Sequence, residues 1–462
     1  MTLREMAAAC SGILHAQGYE EQVERNAGDV VIDSREIKED GVFIAVKGER
    51  TDGHSYIAQV FAKGALGVIC ERVPENAAGP FILVKNSLQA LKEIAECYRR
   101  MLSIPVVGIT GSVGKTSTKE LIASVLAQRF HVLKTAGNYN NEIGLPLTVM
   151  KIGPQHEAAV LEMGISEFGE MHRLSKIARP DICVITNIGQ CHLENLHTRD
   201  GILKAKSEIF DYMSPTAHIY LNGDDDKLCT VQEVKGIRPV CFGLSEENAY
   251  YADEIENRGL FGTHCRIHTP QGDFEAQIPL PGVHMVYNAL AATAVGMSLG
   301  IGIEQIQAGI VSVKPVGGRS NIIRLEDRTI IDDCYNASPA SVRGALELLS
   351  SAATRRVAIL GDMFELGAQE RQLHREIGDY AVQGKCDVLI GVGTLTEEMC
   401  DAARESLKDV PHTSDRKMRI LHFDTLEELE NELPAILQPE DTILVKASHG
   451  MGLAQVVEFL KT

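Results

Sequence analysis

With 462 residues the chain is too long for one hydrophobic core, and usual domain sizes lead to an expectation of about three domains. Its apolar share of 44% is that of an ordinary globular protein, while a formal charge of −18 argues against nucleic acid or an anionic membrane surface as the main partner. Eleven cysteines, scattered from Cys10 to Cys400 without a C-x-x-C pair, suggest neither a disulfide framework nor a zinc site, so a reducing cytoplasm is the expected compartment.

Near the N-terminus "MAAACSGIL" has the outline of a lipoprotein signal. Glu5 lies where basic residues belong, however, and the apolar run before Cys10 is short, so an ordinary first helix is expected. No stretch approaches the length of a transmembrane helix, which predicts no stable membrane insertion. Over residues 1–98, strand and helix signals around "DSREIKEDGVFIAVKGERTDGHSYI", with turns at Asp40-Gly41 and Asp52-Gly53, predict a small α/β domain. Over 99–316 the apolar runs "IPVVGIT", "EAAVLEMG" and "DICVITNIG" alternate with helix-like segments, which predicts a mostly parallel sheet covered by helices. After "KPVGGRSN" the alternation restarts with "RTIIDDCY", "RVAILGDM", "CDVLIGVG", "MRILHF" and "DTILVKASHG", so 317–462 reads as a Rossmann-like α/β domain. The fold class is α/β throughout, with no solenoid repeat and no low-complexity tract.

The strongest chemical signal is "TGSVGKTS", Thr110, Gly111, Ser112, Val113, Gly114, Lys115, Thr116 and Ser117, set between a strand and a helix. Backbone N–H groups around Gly111 and Gly114 can point at phosphate oxygens, Lys115 supplies a cation and Thr116 a hydroxyl for Mg²⁺. Ile109 stands where the strict phosphate-loop pattern has its first glycine, but the flanking strand and helix supply the required context. Such a loop serves ligases, kinases, switches and motors alike; the absence of N-K-x-D counts against a GTPase switch. Glu162 in "VLEMG" falls at a strand's carboxyl end, where open α/β sheets bind ligands, and could act on Mg²⁺. His192 follows the next strand in "VITNIGQCHLE", and "LKAKSEIF" carries Lys204 and Lys206 into a helix. Taken alone, a loop histidine is more often a hydrogen-bonded surface group and a helix lysine a solvated one.

Together with the loop, the stretches "GNYNNEIGLPLTV", "LEMGISEFGE", "TNIGQCHLE", "AKSEIF", "DDCYNASPAS" and "GDMFELG" give the chain its resemblance to a known family. It resembles the Mur ligases of bacterial peptidoglycan synthesis over essentially its whole length, including "DSREIKEDGVFIAVKGERTDGH" at the front. Within them it is most similar to the branch that joins D-alanyl-D-alanine to UDP-N-acetylmuramoyl-tripeptide. The branch that adds the third amino acid carries an Asp-Asn-Pro-Arg motif, absent here, and folylpolyglutamate synthases show Asp-Gly-Ala-His-Asn-Pro where this chain has "DDCYNASP". A nucleotide-gated binding protein without catalysis is the alternative from another class. Two departures stand out: His449 where an arginine is frequent, and Ala337-Ser338 where Ala-Asn is usual.

The resemblance implies ATP as cosubstrate, an acyl-phosphate intermediate, and Mg²⁺ held by Thr116, Glu162 and His192. It implies a carbamate on Lys206 rather than Lys204, since the Lys-x-x-hydrophobic-Phe spacing is met by "KSEIF". It assigns UDP-muramoyl binding to residues 1–98, ATP binding to 99–316 and the closing ligase domain to 317–462. Asn138 and Asn288 would shape the nucleotide pocket, while Arg319, Asp333, Tyr335 and Asn336 would reach the nucleotide on domain closure. Ser34, Arg35, Asp52 and His54 are the candidates for the uridine diphosphate, although "DSR" and "TDGH" also read as turn and cap residues. A monomer is expected.

Overall fold

Three sheets, each covered by helices, carry the fold of the computed structural model, which describes residues 1–49, 51–75, 77–384, 386–408 and 418–462. The first has the strand order Ile13–His15, Phe81–Leu83, Gly67–Cys70, Val42–Ile44, Val30–Val31, parallel except for the edge strand Ile13–His15. The "MAAAC" segment belongs to the helix Leu3–Ala9, whose Thr2 and Glu5 close a capping box and whose Leu3 and Met6 enter the core of this domain.

The middle sheet has nine strands in the order Phe274–Ile278, Thr263–His268, Tyr250–Asn257, Val240–Gly243, His218–Asn222, Ile182–Ile185, Val106–Thr110, Ala158–Glu162, Val132–Lys134. From Val132–Lys134 to Tyr250–Asn257 all pairings are parallel, and the inner strands "VVGIT", "AAVLE" and "ICVI" are buried at every position. The last two strands are antiparallel, because the connections Arg258–Gly262 and Thr269–Asp273 are too short for a crossover helix. "THCRIH" and "FEAQI" accordingly alternate between buried and solvated positions. The C-terminal sheet runs Asn321–Arg324, Arg328–Asp332, Asp441–Lys446, Arg356–Gly361, Val388–Val392, Arg419–Phe423, parallel apart from its first strand.

The two junctions differ physically. At the first, the helix Ser87–Met101 runs straight through the boundary expected after residue 98 and packs on the middle-domain helices Gly144–Met150 and Glu170–Ala178. Its Arg99 is buried and donates to the carbonyls of Ala178 at 2.8 Å, Arg179 at 3.0 Å and Leu102 at 3.1 Å, and to Asp181 Oδ2 at 2.8 Å. That oxygen also accepts from Val106 N at 2.9 Å, at the start of the central strand. At the second junction an isolated bridge between Val316 and Arg319 encloses only Gly317 and Gly318.

Arg99→Met strands three carbonyls without this donor and leaves the Asp181 carboxylate with only Val106 N. It is expected to lower stability by about 2–4 kcal/mol, below the full cost of breaking a buried pair because the Asp181 side chain keeps 38% of its surface in water. A urea denaturation midpoint unchanged from wild type would remove Arg99 as the clamp between the first two domains.

Candidate active site

The strand Val106–Thr110 lies between Ala158–Glu162 and Ile182–Ile185, where the sheet order reverses, so its carboxyl end opens on the crevice that binds ligands in such sheets. Thr110 ends the strand fully buried. At Gly111, φ is +148° and a Cβ would lie 1.9 Å from Thr186 Oγ1, so the loop can pass this close to the neighbouring strand only without a side chain. Asn187 braces it, accepting from Ser112 N at 3.0 Å on its carbonyl and from Val113 N at 2.9 Å on Oδ1; Thr186 Oγ1 donates to Val113 O at 2.6 Å. Gly114, at φ +84°, turns the chain into the helix Lys115–Leu126. Lys115 Nζ folds back on the loop, donating to Gly111 O at 2.8 Å, and desolvation holds its ammonium below the ordinary lysine range.

Thr116 and Glu162 meet at the base of the loop. Glu162 is 1% exposed; its Oε2 accepts from Thr116 Oγ1 at 2.8 Å and its Oε1 from Asn140 Nδ2 at 2.8 Å. Buried Lys119 places Nζ 3.6 Å from Oε2 and donates to Thr135 O at 2.8 Å. Asn138 is exposed on its loop and outside the site, and Asn140, two residues on in the same "GNYNNEIG" stretch, is the asparagine that reaches it. His192 has a left-handed backbone, φ +51°, and its Nδ1 contacts Glu365 Oε2 from the C-terminal domain. Lys206 is 0% exposed, Nζ has no hydrogen-bond partner among the described residues, and desolvation, reinforced by the charge of Lys115, pushes it down to about 8. Lys204, on the same helix, is exposed.

Among the described residues no three or more His, Cys, Asp or Glu side chains are grouped to hold a metal ion. The Glu162 carboxylate and the Thr116 hydroxyl are hard oxygen donors that suit Mg²⁺, which keeps several waters and relies on phosphate oxygens for most of its shell; the His192 imidazole would be the one softer donor. The orphaned amine of Lys206 is the other open feature; as a bare ammonium it has nothing to neutralise it, and as an anionic carbamate it would become a metal donor.

On the facing wall, the Arg319 guanidinium stacks 4.0 Å from the Tyr335 ring centroid, and His449 lies 5.5 Å from the same ring. Asp333 accepts from Lys446 Nζ at 2.6 Å and from Ser320 N at 2.9 Å, while Asn336 O accepts from Lys446 at 2.9 Å. Asn288 Oδ1 accepts from Thr118 Oγ1 at 3.0 Å beneath Gly114. Ser112, Val113, Gly114, Lys115, Ser117, Glu162, His192 and Asn288 line one cavity of about 1100 Å³ together with Arg319, Asp333, Tyr335 and Asn336. The C-terminal residues thus already face the phosphate loop. Asn140, Lys119, Asn187, Glu365 and Lys446 escaped the sequence reading, although Asn187 lies in the "TNIG" stretch that pointed to His192.

None of Ser34, Arg35, Asp52 and His54 lines this cavity; all four lie in the first domain. The His54 side chain is 4% exposed with both nitrogens committed, Nδ1 to Asp52 at 2.7 Å and Nε2 accepting from Glu71 N at 2.9 Å, so the pair fastens its turn to the end of the strand Gly67–Cys70. Arg35 is exposed and pairs with Asp33, whose carboxyl it holds down at about 2. The Ser34 carbonyl accepts from Lys63 Nζ at 2.9 Å.

A phosphate loop facing a second α/β domain across one cavity defines a class of nucleotide-dependent enzymes, and three family models match the chain within it. They are the Mur ligase family catalytic domain over residues 29–99, the Mur ligase middle domain over 109–296 and the Mur ligase glutamate ligase domain over 318–449. The chain belongs to the Mur ligase family. Among its relatives, the UDP-N-acetylmuramoyl-tripeptide–D-alanyl-D-alanine ligase of Bacillus subtilis is 36% identical, with 99% of this chain and 98% of the relative covered. The Escherichia coli ligase of that name is 33% identical over 94% of this chain and 93% of its own. The crystal structure of MurF from Acinetobacter baumannii superposes with a TM-score of 0.88 at 30% identity, covering 100% of this chain and 99% of that one. MurF from Thermotoga maritima in complex with ADP gives 0.80 at 30% identity, covering 94% and 97%.

The depressed Lys206 has a consequence for stability. In bicarbonate-free buffer the folded chain holds this amine neutral above about 8, whereas the unfolded chain keeps it protonated up to the model-compound value of 10.5. The folded state therefore carries a penalty that is fully present below pH 8 and disappears as the pH rises toward 10.5. Lys206→Met is expected to be more stable than wild type at pH 7, with an advantage that shrinks across that window. Urea titrations showing a pH-independent difference would contradict the buried, uncompensated amine.

Proposed function

We infer that this chain is an ATP-dependent amide ligase that joins D-alanyl-D-alanine to UDP-N-acetylmuramoyl-tripeptide, forming the pentapeptide precursor of peptidoglycan with release of ADP and phosphate. The observation that carries the reading is the shared cavity, in which Lys115 and Glu162 on one wall face Arg319 and Asp333 on the other. Similarity along the whole chain to ligases named for this reaction supports it.

The chemistry explains the arrangement. A carboxylate is a poor electrophile, so an oxygen of the tripeptide's terminal carboxylate attacks the γ-phosphorus of ATP and ADP departs, leaving an acyl phosphate. The amine of D-alanyl-D-alanine then attacks the carbonyl carbon, loses a proton, and phosphate leaves as the C–O bond breaks. Such phosphoryl transfer asks mainly for alignment and charge neutralisation. Lys115 and the loop N–H groups of Gly114, Lys115 and Thr116 supply both for the transferred group, those of Ser112 and Val113 being held by Asn187. Thr116, Glu162, His192 and a carbamate on Lys206 would hold Mg²⁺, which when bound neutralises charge building on the phosphoryl oxygens. The neutral amine favoured by burial adds to carbon dioxide with loss of one proton, turning a buried cation into an anionic donor. Asn288, Arg319, Asp333, Tyr335 and Asn336 take the nucleotide, with Asn140 rather than Asn138 orienting Glu162. Ser34 and Arg35 remain the contacts for the uridine diphosphate, on a surface that Asp52 and His54 keep in shape. A single chain supplies every residue of this site, so the reading includes action as a monomer, in the cytoplasm where ATP is supplied.

Phosphate release is expected with ATP, D-alanyl-D-alanine and a tripeptide acceptor ending in lysine or diaminopimelate. Turnover only with a dipeptide acceptor and a free amino acid would replace this reading with that of the neighbouring ligase. Lys115→Ala should lower kcat roughly a hundredfold or more while the fold persists. Lys206→Ala should cripple ligation and recover part of it in acetate, which fills the vacated space with a carboxylate, whereas Lys204→Ala is mild. Full activity of Lys206→Ala without acetate would remove the carbamate from the mechanism.

A further inference from the structure

Non-glycine residues in the left-handed region cost about 1 kcal/mol or more each and persist only where their surroundings hold them. His192 at φ +51° and Glu365 at φ +61° both adopt it, and they meet across the boundary between the middle and C-terminal domains. Glu365 Oε2 sits against His192 Nδ1 in ion-pair contact, and this buried nitrogen has no hydrogen bond of ordinary geometry among the described residues, so the carboxylate is the group nearest to hand for it. The close contact with His192 holds the Glu365 carboxyl below the usual carboxylate range.

The backbone around this contact is registered independently of it. Glu194 N donates to the Glu365 carbonyl at 3.3 Å, and Leu193 packs against the C-terminal core. Gly367, also left-handed at φ +61°, comes so near that a Cβ there would lie 3.4 Å from Glu194 Cα. The turn "FELG" is therefore pressed onto the short helix Leu193–Leu196 that begins just after His192. Docking would need only this packing; a carboxylate aimed at one imidazole nitrogen is an additional feature.

A histidine whose Nδ1–H donates to a carboxylate keeps its lone pair on Nε2, the nitrogen then free to act as a ligand. We propose that Glu365 is a positioning residue for ligation: its carboxylate, brought from the C-terminal domain against His192 Nδ1, draws the ring proton to that nitrogen and leaves Nε2 as the ligating nitrogen of a residue that lines the cavity, only while the two domains are docked. Domain docking and completion of the metal-binding side of the site are then one event. The proposal rests on the placement of His192 in the ligase site, which His192→Gln tests alone: that variant should lose ligation whatever Glu365 does, and full activity would overturn both readings.

The test uses the full chain with Glu365→Ala and Glu365→Gln. Nitrogen-15 NMR of labelled histidine side chains, with His192 assigned by its loss in His192→Gln, is expected to show the Nδ1–H tautomer in wild type and its loss in Glu365→Ala. In that variant kcat should fall about tenfold or more, as for other groups that orient a ligating histidine, while KM for ATP stays within about threefold. Glu365→Gln keeps an acceptor oxygen, so it should retain the tautomer and recover part of kcat. Wild-type kcat together with a persistent Nδ1–H signal in Glu365→Ala would overturn the proposal. So would a scattering envelope that opens in Glu365→Ala while the tautomer is unchanged, because Glu365 would then serve docking alone.

Discussion

The backbone of Gly111 passes so near the end of the neighbouring strand that one added carbon would collide with Thr186 at 1.9 Å, and the geometry of the middle domain follows from that approach. With the loop pressed there, Asn187 can brace Ser112 and Val113, and Gly114 can swing the chain into its helix. Lys115 then points back over the loop while Thr116, one residue on, points down to Glu162. Two strands and one helix are thereby held in a single register by a position that admits no side chain.

A chain of formal charge −18 that carries a phosphate loop has to place its cations where they count. Lys119, Lys206 and Lys446 are all buried, but among the described residues only two of them have partners for their ammonium groups. Lys119 has Thr135 O and a nearby carboxylate; Lys446 has Asp333 and Asn336 O. Lys206 has none of these, and burial without a partner drives its amine toward the neutral form.

The domain junctions divide the labour. Arg99 ties the first domain to the middle one through a continuous helix and four acceptors, so the first sheet and the phosphate loop sit on one frame. Between the middle and C-terminal domains the chain itself contributes little beyond two glycines, and the arrangement is decided by contacts made elsewhere. One is the hairpin where Leu260 packs on the C-terminal core and Arg324 stacks 4.7 Å from the Phe261 ring centroid; another joins Glu365 to His192.

The sequence by itself determined the α/β class, the strand–loop–helix of the phosphate loop and the strand ends that carry Glu162 and His192, because these depend on local periodicity and on neighbours a few residues away. The antiparallel edge of the middle sheet was less legible, since strand direction depends on the length of connections between weakly marked strands. Only the tertiary structure decided that Asn140 and not Asn138 reaches Glu162, that His54 is spent on its own turn, and that Lys206 rather than Lys204 is stripped of water. Each of those outcomes turns on which way a side chain faces once distant segments pack, as does the meeting of His192 with Glu365, and no local pattern encodes a contact between residues that only the docking of two domains brings together.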